Sequence, residues 1–282
     1  MSAPMIVNVR NFDVNRLTFV VGPKKAGRMP SISMKYDGQP FNLRFPNKMS
    51  VRMFSRTDEK TGNTSYTLST NLKGCDPYAR ERAAGATDIE VLYNTVIFDL
   101  KEKILSVAEE KSKEWFGKKR ERAGLLDAFK DMYRVSADRI DGEYVPNGKY
   151  PPSMTLKVPV YDNKVSTDVI NDSGNPVYLT PDTLGKVFEN NVEVNMVASP
   201  SLYIIAGGSF GITWRLNYAQ VFQRSRLTAA SVFTAEEEEA GEETQAAETA
   251  EDGSGRPSTP VEAAPAPTPS APARKKRTVA GQ

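Results

Sequence analysis

The sequence predicts a mainly β body with a helical insertion and a C-terminal tail that does not fold. Three observations predict it. Short β-branched and aromatic runs fill residues 5–70 and return from 153 to 222, the pattern of strands between turns. Between them, Ile89, Leu92, Val96, Leu100, Ile104 and Val107 recur at steps of three and four, the spacing of an amphipathic helix. After Phe233 the chain becomes "AEEEEAGEETQAAETAEDGSG", with too little apolar bulk to offset the entropy of ordering it.

Taken in order, "MIVNV", "RLTFVV", "SISMKY", "FNLRF" and "SVRMFSRT" are the first strands, and "DEKTGNT" before "SYTLST" marks a hairpin around Gly62. Side chains alternate across a strand, so Val51, Met53 and Ser55 share one face, and Arg52, Phe54 and Arg56 the wet one. The loop Gly22 to Gly27 has the glycine spacing of a P-loop, but Arg28 and Met29 stand where Lys and Ser/Thr are needed. Pro30 also biases its predecessor away from the helix that such a loop requires. What remains is a basic loop carrying Lys24, Lys25 and Arg28.

The helix begins at a capping box, Thr87 with Glu90, and stops at Gly117. A shorter helix through "GLLDAFKDMYR" completes an insertion of about 88–134. "DGEYVPNGK" reads as turns, after which "SMTLKVPVYD", "PVYL", "VEVNMVAS", "SLYIIAGG" and "FGITWRLNYAQVFQ" read as strands. In the last, Trp214, Leu216, Tyr218, Gln220 and Phe222 alternate against Thr213, Arg215, Asn217 and Val221. "GGSFG" precedes a strand, so it is a hairpin or bulge and no dinucleotide fingerprint. Five strands, a helical insertion and further strands suit a partly open Greek-key barrel of the OB type with extra strands; a β-sandwich with a helical insertion is the alternative. The expected organisation is a body at 1–234, an acidic tail at 235–255 and a Pro/Ala-rich linker with a basic terminus at 256–282.

Charge is distributed unevenly. The whole chain sums to +2, but from Ala235 onward 10 acidic face 5 basic residues, leaving a net of +7 on the preceding 234. A basic body suggests polyanion contact and an acidic tail a solvated or regulatory arm. The chain contains no histidine, which removes imidazole catalysis and histidine-ligated zinc. Its single cysteine, Cys75, can make neither an intrachain disulfide nor a cysteine cluster, and fits a reducing, intracellular setting. No apolar run reaches membrane-spanning length, and the N-terminus lacks a signal-peptide core. The carboxylates Asp138, Asp141 and Glu143 in "DRIDGE" match no metal-loop spacing. The expectation is a non-enzymatic protein without cofactor or metal.

Binding of single strands without sequence preference needs cations for the backbone and aromatic faces for stacking, worth about 1–3 kcal/mol per base. Here they interleave: Lys35 with Tyr36, Arg44 with Phe45, Arg52 with Phe54 and Arg56, and Trp214 with Arg215. For each pair the other reading is a core ring beside a solvated charge, and Arg52, Phe54 and Arg56 escape it best. Tyr66 completes the candidate stacking surface. The tethered acidic tail would compete with phosphates for the same groove.

The block "SLYIIAGGSFGITWRLNYAQVF" running into "SVFTAEEEEAGEE", with "PPSMTLKVPVYD" upstream, resembles the bacteriophage T7-like single-stranded DNA-binding proteins. More narrowly, it resembles the version carried by nucleo-cytoplasmic large DNA viruses of eukaryotes. The resemblance covers roughly residues 5–240 and rests on pattern and order. It implies an OB barrel, non-catalytic single-stranded DNA binding in viral DNA replication, recombination and repair, and an acidic tail that meets replication proteins such as a polymerase or helicase. A homodimer is also allowed for. In the phage proteins the acidic tail is terminal and ends in an aromatic residue, whereas here Phe233 precedes the acidic run. The terminal Arg274, Lys275, Lys276 and Arg277 read as a nuclear import signal, a second phosphate contact or a solvated end, so the expected location is the host nucleus or a viral replication site. The alternative function is a structural or virion-associated β-sandwich protein that binds no nucleic acid.

Overall fold

The computed structural model describes residues 4–23 and 29–223. The loop cations Lys24, Lys25 and Arg28, the acidic tail and the Arg274–Arg277 cluster lie outside them. The N-terminal strands are β1 (Met5–Asn8), β2 (Leu17–Val21), β3 (Ile32–Tyr36), β4 (Phe41–Arg44), β5 (Met49–Thr57) and β6 (Thr64–Asn71). The insertion holds α1 (Asp88–Tyr93), a π-helical stretch Asn94–Leu100, α2 (Lys101–Glu110), α3 (Ser112–Phe116) and α4 (Arg122–Ala128). Then come β7 (Phe129–Lys130), β8 (Tyr133–Arg134), β9 (Ala137–Ile140), β10 (Glu143–Pro146), β11 (Ser153–Val158), β12 (Val160–Tyr161), β13 (Lys164–Val165) and β14 (Asp168–Asn171). The short helix α5 (Leu184–Val187) leads into β15 (Val192–Ile204) and β16 (Phe210–Phe222).

Five strands close on themselves. β5 pairs antiparallel with β6, β6 with β11, β11 runs parallel to β16, β16 pairs antiparallel with β15, and β15 returns to β5. This is the OB connectivity, a meander of three strands whose third meets the fifth in parallel. Closure settles the choice between barrel and sandwich in favour of the barrel. The interior follows from alternation: Met49, Val51, Leu68, Leu156, Val194 and Trp214 all point inward and are buried. Phe45 meets Trp214 edge-on, with centroids 5.5 Å apart.

Along one edge of β15 lie, in succession, β5, β4 and β3, with β1 parallel to β4 beyond. The β11–β16 seam is short, with pairs Leu156↔Trp214 and Lys157↔Arg215. At the open corner of that seam, β8 pairs with β11 at Ser153 and Met154, and β7 with β16 at Phe210 and Gly211. The end of the helical insertion therefore plugs the gap between these two strands. Inside the insertion, the capping box at Thr87 and Glu90 forms as expected. Leu92, Val96 and Leu100 stay buried through the π-helical stretch. Steps of four overshoot an α-helical turn by about 40°, and the wider winding takes up that excess.

Five expectations are corrected. "GLLDAFKDMYR" is helical only to Ala128; its second half forms β7 and β8. "DGEYVPNGK" is mostly a hairpin, since Asp141 and Gly142, with φ of 50° and 91°, make a two-residue turn joining β9 to β10. "PVYL" forms only an isolated bridge at Pro176. "VEVNMVAS" and "SLYII" are one strand, β15, which continues through Pro200. Opposite its Val197 and Ala198 stand Tyr218 and Leu216, so Asn217 is an extra residue in β16. This bulge reverses the alternation, turning Ala219 and Val221 inward and leaving Tyr218 exposed.

Candidate nucleic-acid interface

The loop from Gly22 to Pro30 joins the antiparallel strands β2 and β3. Gly22 continues their ladder by donating to the Ser31 carbonyl at 2.7 Å. The next element among the described residues is the strand β3 and not a helix, so the phosphate-loop reading fails on architecture as well as on residue types.

On β5 the triplet points outward. Val51 is buried and Met53 half-buried on the barrel side, while Arg52, Phe54 and Arg56 are exposed and Phe54 shows 49% of its surface. Pairing places Arg52 opposite Ser69, Phe54 opposite Thr67 and Arg56 opposite Ser65. Thr67 then pairs with Lys157 of β11, and Lys157 with Arg215 of β16. One row therefore crosses four strands: Phe54, Thr67, Lys157, Arg215. At the usual spacing between strands it spans about 15 Å. Its floor, with Ser65, Ser69 and Thr155, is made of small hydroxyl side chains, so the ring and the cations stand above it.

Beside this row, a groove of about 480 Å³ is lined by Arg52, Phe54, Asn71, Arg134, Tyr150 and Ser153 among others. Tyr150 is 66% exposed. Arg52 is steadied at the rim by donating its Nε to Asn190 Oδ1 at 3.2 Å. At the far end of the row the Arg215 guanidinium lies 6.0 Å from the ring centre of Tyr161, itself half exposed. Among the described residues none of Arg52, Arg56, Arg134, Lys157 and Arg215 is held in an ion pair. Their charge is available to an external anion, although Asp58 and Glu59 line a groove together with Arg56.

The remaining candidates are placed elsewhere. Tyr36 is a core residue, 1% exposed, stacked on Phe12 at 5.5 Å, with its hydroxyl donating to the Asn11 carbonyl at 3.1 Å and Arg16 over its ring. Phe45 is 2% exposed inside the barrel. Neither presents a ring face to solvent, because each follows an outward cation by one residue and so turns inward. Tyr66 is half-buried on the Leu68 side of β6, packed against the core and away from Phe54. Lys35 is half-buried on β3, opposite Thr18. Arg44 is exposed, but it lines a separate apolar groove of about 250 Å³ with Ile6, Ile170 and Tyr218.

Lys157, Arg134, Tyr150 and Tyr161 join the face without having been singled out in the sequence. Lys157 carried a local signal, the alternation of "SMTLKV"; the others reach the face through pairings and loops that no local pattern encodes. Of the carboxylates in "DRIDGE", Asp138 is tied to Lys149 and Asn147, which hold it below the usual carboxylate range. Among the described residues no group of three carboxylate, histidine or cysteine side chains is placed to hold a metal. Burial, reinforced by Glu90, pushes the Cys75 thiol up to about 11, so it is a poor nucleophile. No helix among the described residues is long and apolar enough to cross a membrane.

No protein-family model matches this chain, and no curated protein matches it in sequence. Solved structures resemble it in fold. One is gp2.5, a single-stranded DNA-binding protein encoded by bacteriophage T7, at 10% identity over 67% of this chain and 94% of that one, with a TM-score of 0.38. Another is the single-stranded DNA-binding protein from bacteriophage Enc34, at 12% identity over 77% of this chain and 99% of that one, with a TM-score of 0.33.

Proposed function

We propose that this chain binds single-stranded DNA without sequence preference and acts, without catalysing a reaction, in DNA replication, recombination and repair. The observation that carries this reading is the row of Phe54, Thr67, Lys157 and Arg215, flanked by Arg52 and Arg56. The cations meet backbone phosphates, and the exposed ring offers a stacking surface to any base. The hydroxyl floor is low enough for a splayed strand to lie across it. On the same reading Lys24, Lys25 and Arg28, in the β2–β3 loop, add backbone contacts. The acidic run competes with DNA for the face and meets replication proteins, and Arg274–Arg277 serves nuclear import in a virus-infected host cell, in keeping with the large-DNA-virus resemblance.

Titration of oligo-dT and of duplex DNA over a salt series tests this. Binding should favour the single strand, and log K should fall by about 0.7 per log salt for each phosphate neutralised. The double variant Arg52→Ala/Arg56→Ala should lower that slope by about 1.4. Absence of binding at low salt, salt-insensitive binding, or equal affinity for duplex would refute the reading. The same titration on a chain ending at Thr234 should show tighter binding; unchanged affinity removes the competing role of the tail.

A further inference from the structure

Residues 111–122, "KSKEWFGKKRER", carry six cations and two anions, and they lie outside the face described above. α3 ends at Gly117, whose φ of +74° is left-handed and whose N–H donates to the Lys113 carbonyl at 3.0 Å. The chain reverses there and presents Lys118 and Lys119 to solvent. Neither is in an ion pair among the described residues.

The turn is anchored by Arg120. Its Nη1 donates to the Gly208 carbonyl at 2.8 Å, in the loop between β15 and β16, and its guanidinium lies 4.4 Å from the ring centre of Phe116. The fit is close: a Cβ at Gly208 would fall 1.9 Å from Arg120 Nη2. The Nε of Arg120 is buried with no acceptor.

The position of this turn connects it to the groove. Just beyond the β15–β16 loop, Gly211 pairs with the exposed Lys130 of β7, and four residues on Arg134 of β8 lines the groove beside Phe54. Through Arg120 and the β15–β16 loop the Lys118–Lys119 turn is thus joined to the strands that carry Lys130 and Arg134. The turn has no ring to stack, since Trp115 and Phe116 are both buried. Point charges on flexible stems, without an aromatic partner, bind phosphate rather than bases.

We propose that the Lys118–Lys119 turn is a second phosphodiester-binding site, which takes the backbone of a strand after it leaves the barrel face. This rests on the single-stranded DNA reading and adds to it a direction of exit and a dependence on strand length. The test uses the full-length chain and its Lys118→Glu/Lys119→Glu variant with labelled oligo-dT from about 6 to about 16 nucleotides, lengths within the range of one OB barrel. The shortest oligonucleotides, held on the barrel face, should bind both proteins alike. The longest should bind the variant at least about tenfold more weakly at low salt, with a salt slope lower by about 1.4. Unchanged binding of long oligonucleotides, while Arg52→Ala/Arg56→Ala still lowers the slope, overturns the second site and leaves the barrel reading standing. Equal weakening at every length also overturns it, because the lysines then act on the first site. If the unaltered chain binds none of the oligonucleotides, it is the barrel reading that fails. Equal urea midpoints of the two proteins should confirm that the exchange leaves the fold intact.

Discussion

The outer face of β5 and the strands β3 and β4 contain the same ingredients, cations beside aromatic rings, and use them oppositely. In β5 the ring stands two residues from each arginine, so Arg52, Phe54 and Arg56 share one side of the strand. In β3 and β4 the ring follows its cation by one residue. Lys35 and Arg44 face outward or partly so, while Tyr36 turns into the core and Phe45 into the barrel. A two-residue step gathers a binding surface; a one-residue step builds an amphipathic strand. The composition of a segment cannot separate these outcomes, but the parity of its spacing can.

Three measurements would break or sharpen that comparison. The largest effect is expected from Phe45→Ala, which should lower stability by about 3–5 kcal/mol in urea unfolding. Its oligo-dT affinity under folding conditions should stay unchanged; a loss of affinity at intact stability would place Phe45 on the binding side. Next is Phe54→Ala, which should weaken oligo-dT binding by about 1–3 kcal/mol while its urea midpoint moves little, since an exposed site usually contributes within about 0.5 kcal/mol. A folding defect as large as that of Phe45→Ala would return Phe54 to the core. The smallest perturbation compares two thiols. In a Phe54→Cys variant, alkylation at pH 8 should modify the new cysteine and be slowed by DNA. Cys75, whose thiol burial raises to about 11, should react only once the chain is unfolded. Rapid modification of Cys75 in the folded protein would show that the body opens far more readily than its packing implies.

Much of the body was legible where the signal is local. The strands β1 to β6 follow β-branched runs between turn residues, and the cap at Thr87 and Glu90 needs only four residues to specify it. The triplet on β5 was legible for the same reason, since alternation is a rule of one strand. Tyr218 was not, because a single extra residue at Asn217 reverses the alternation and only the partner strand reveals it. β15 was divided at a proline that its long pairing with β16 overrides. Lys157 meets Arg215, and Arg134 the groove, only through pairing with other strands, while a bond from Arg120 to a loop 88 residues later anchors the Lys118–Lys119 turn outside that face. What the sequence left hidden is in each case a relation between distant segments.

Closure of the barrel falls to its last two strands. β5, β6 and β11 form a meander whose two free edges are joined only by β15 and β16. During synthesis, at about 5–20 residues per second, the β5 edge has no partner until β15 is made, and the β11 edge beyond its β8 pairs has none until β16 is made. Open edges are templates for mispairing with other chains, and contacts between distant segments slow folding. The nascent chain is therefore most exposed to aggregation before β15 and β16 are made, and its yield should depend on chaperones that shield strands rather than on the stability of the finished barrel.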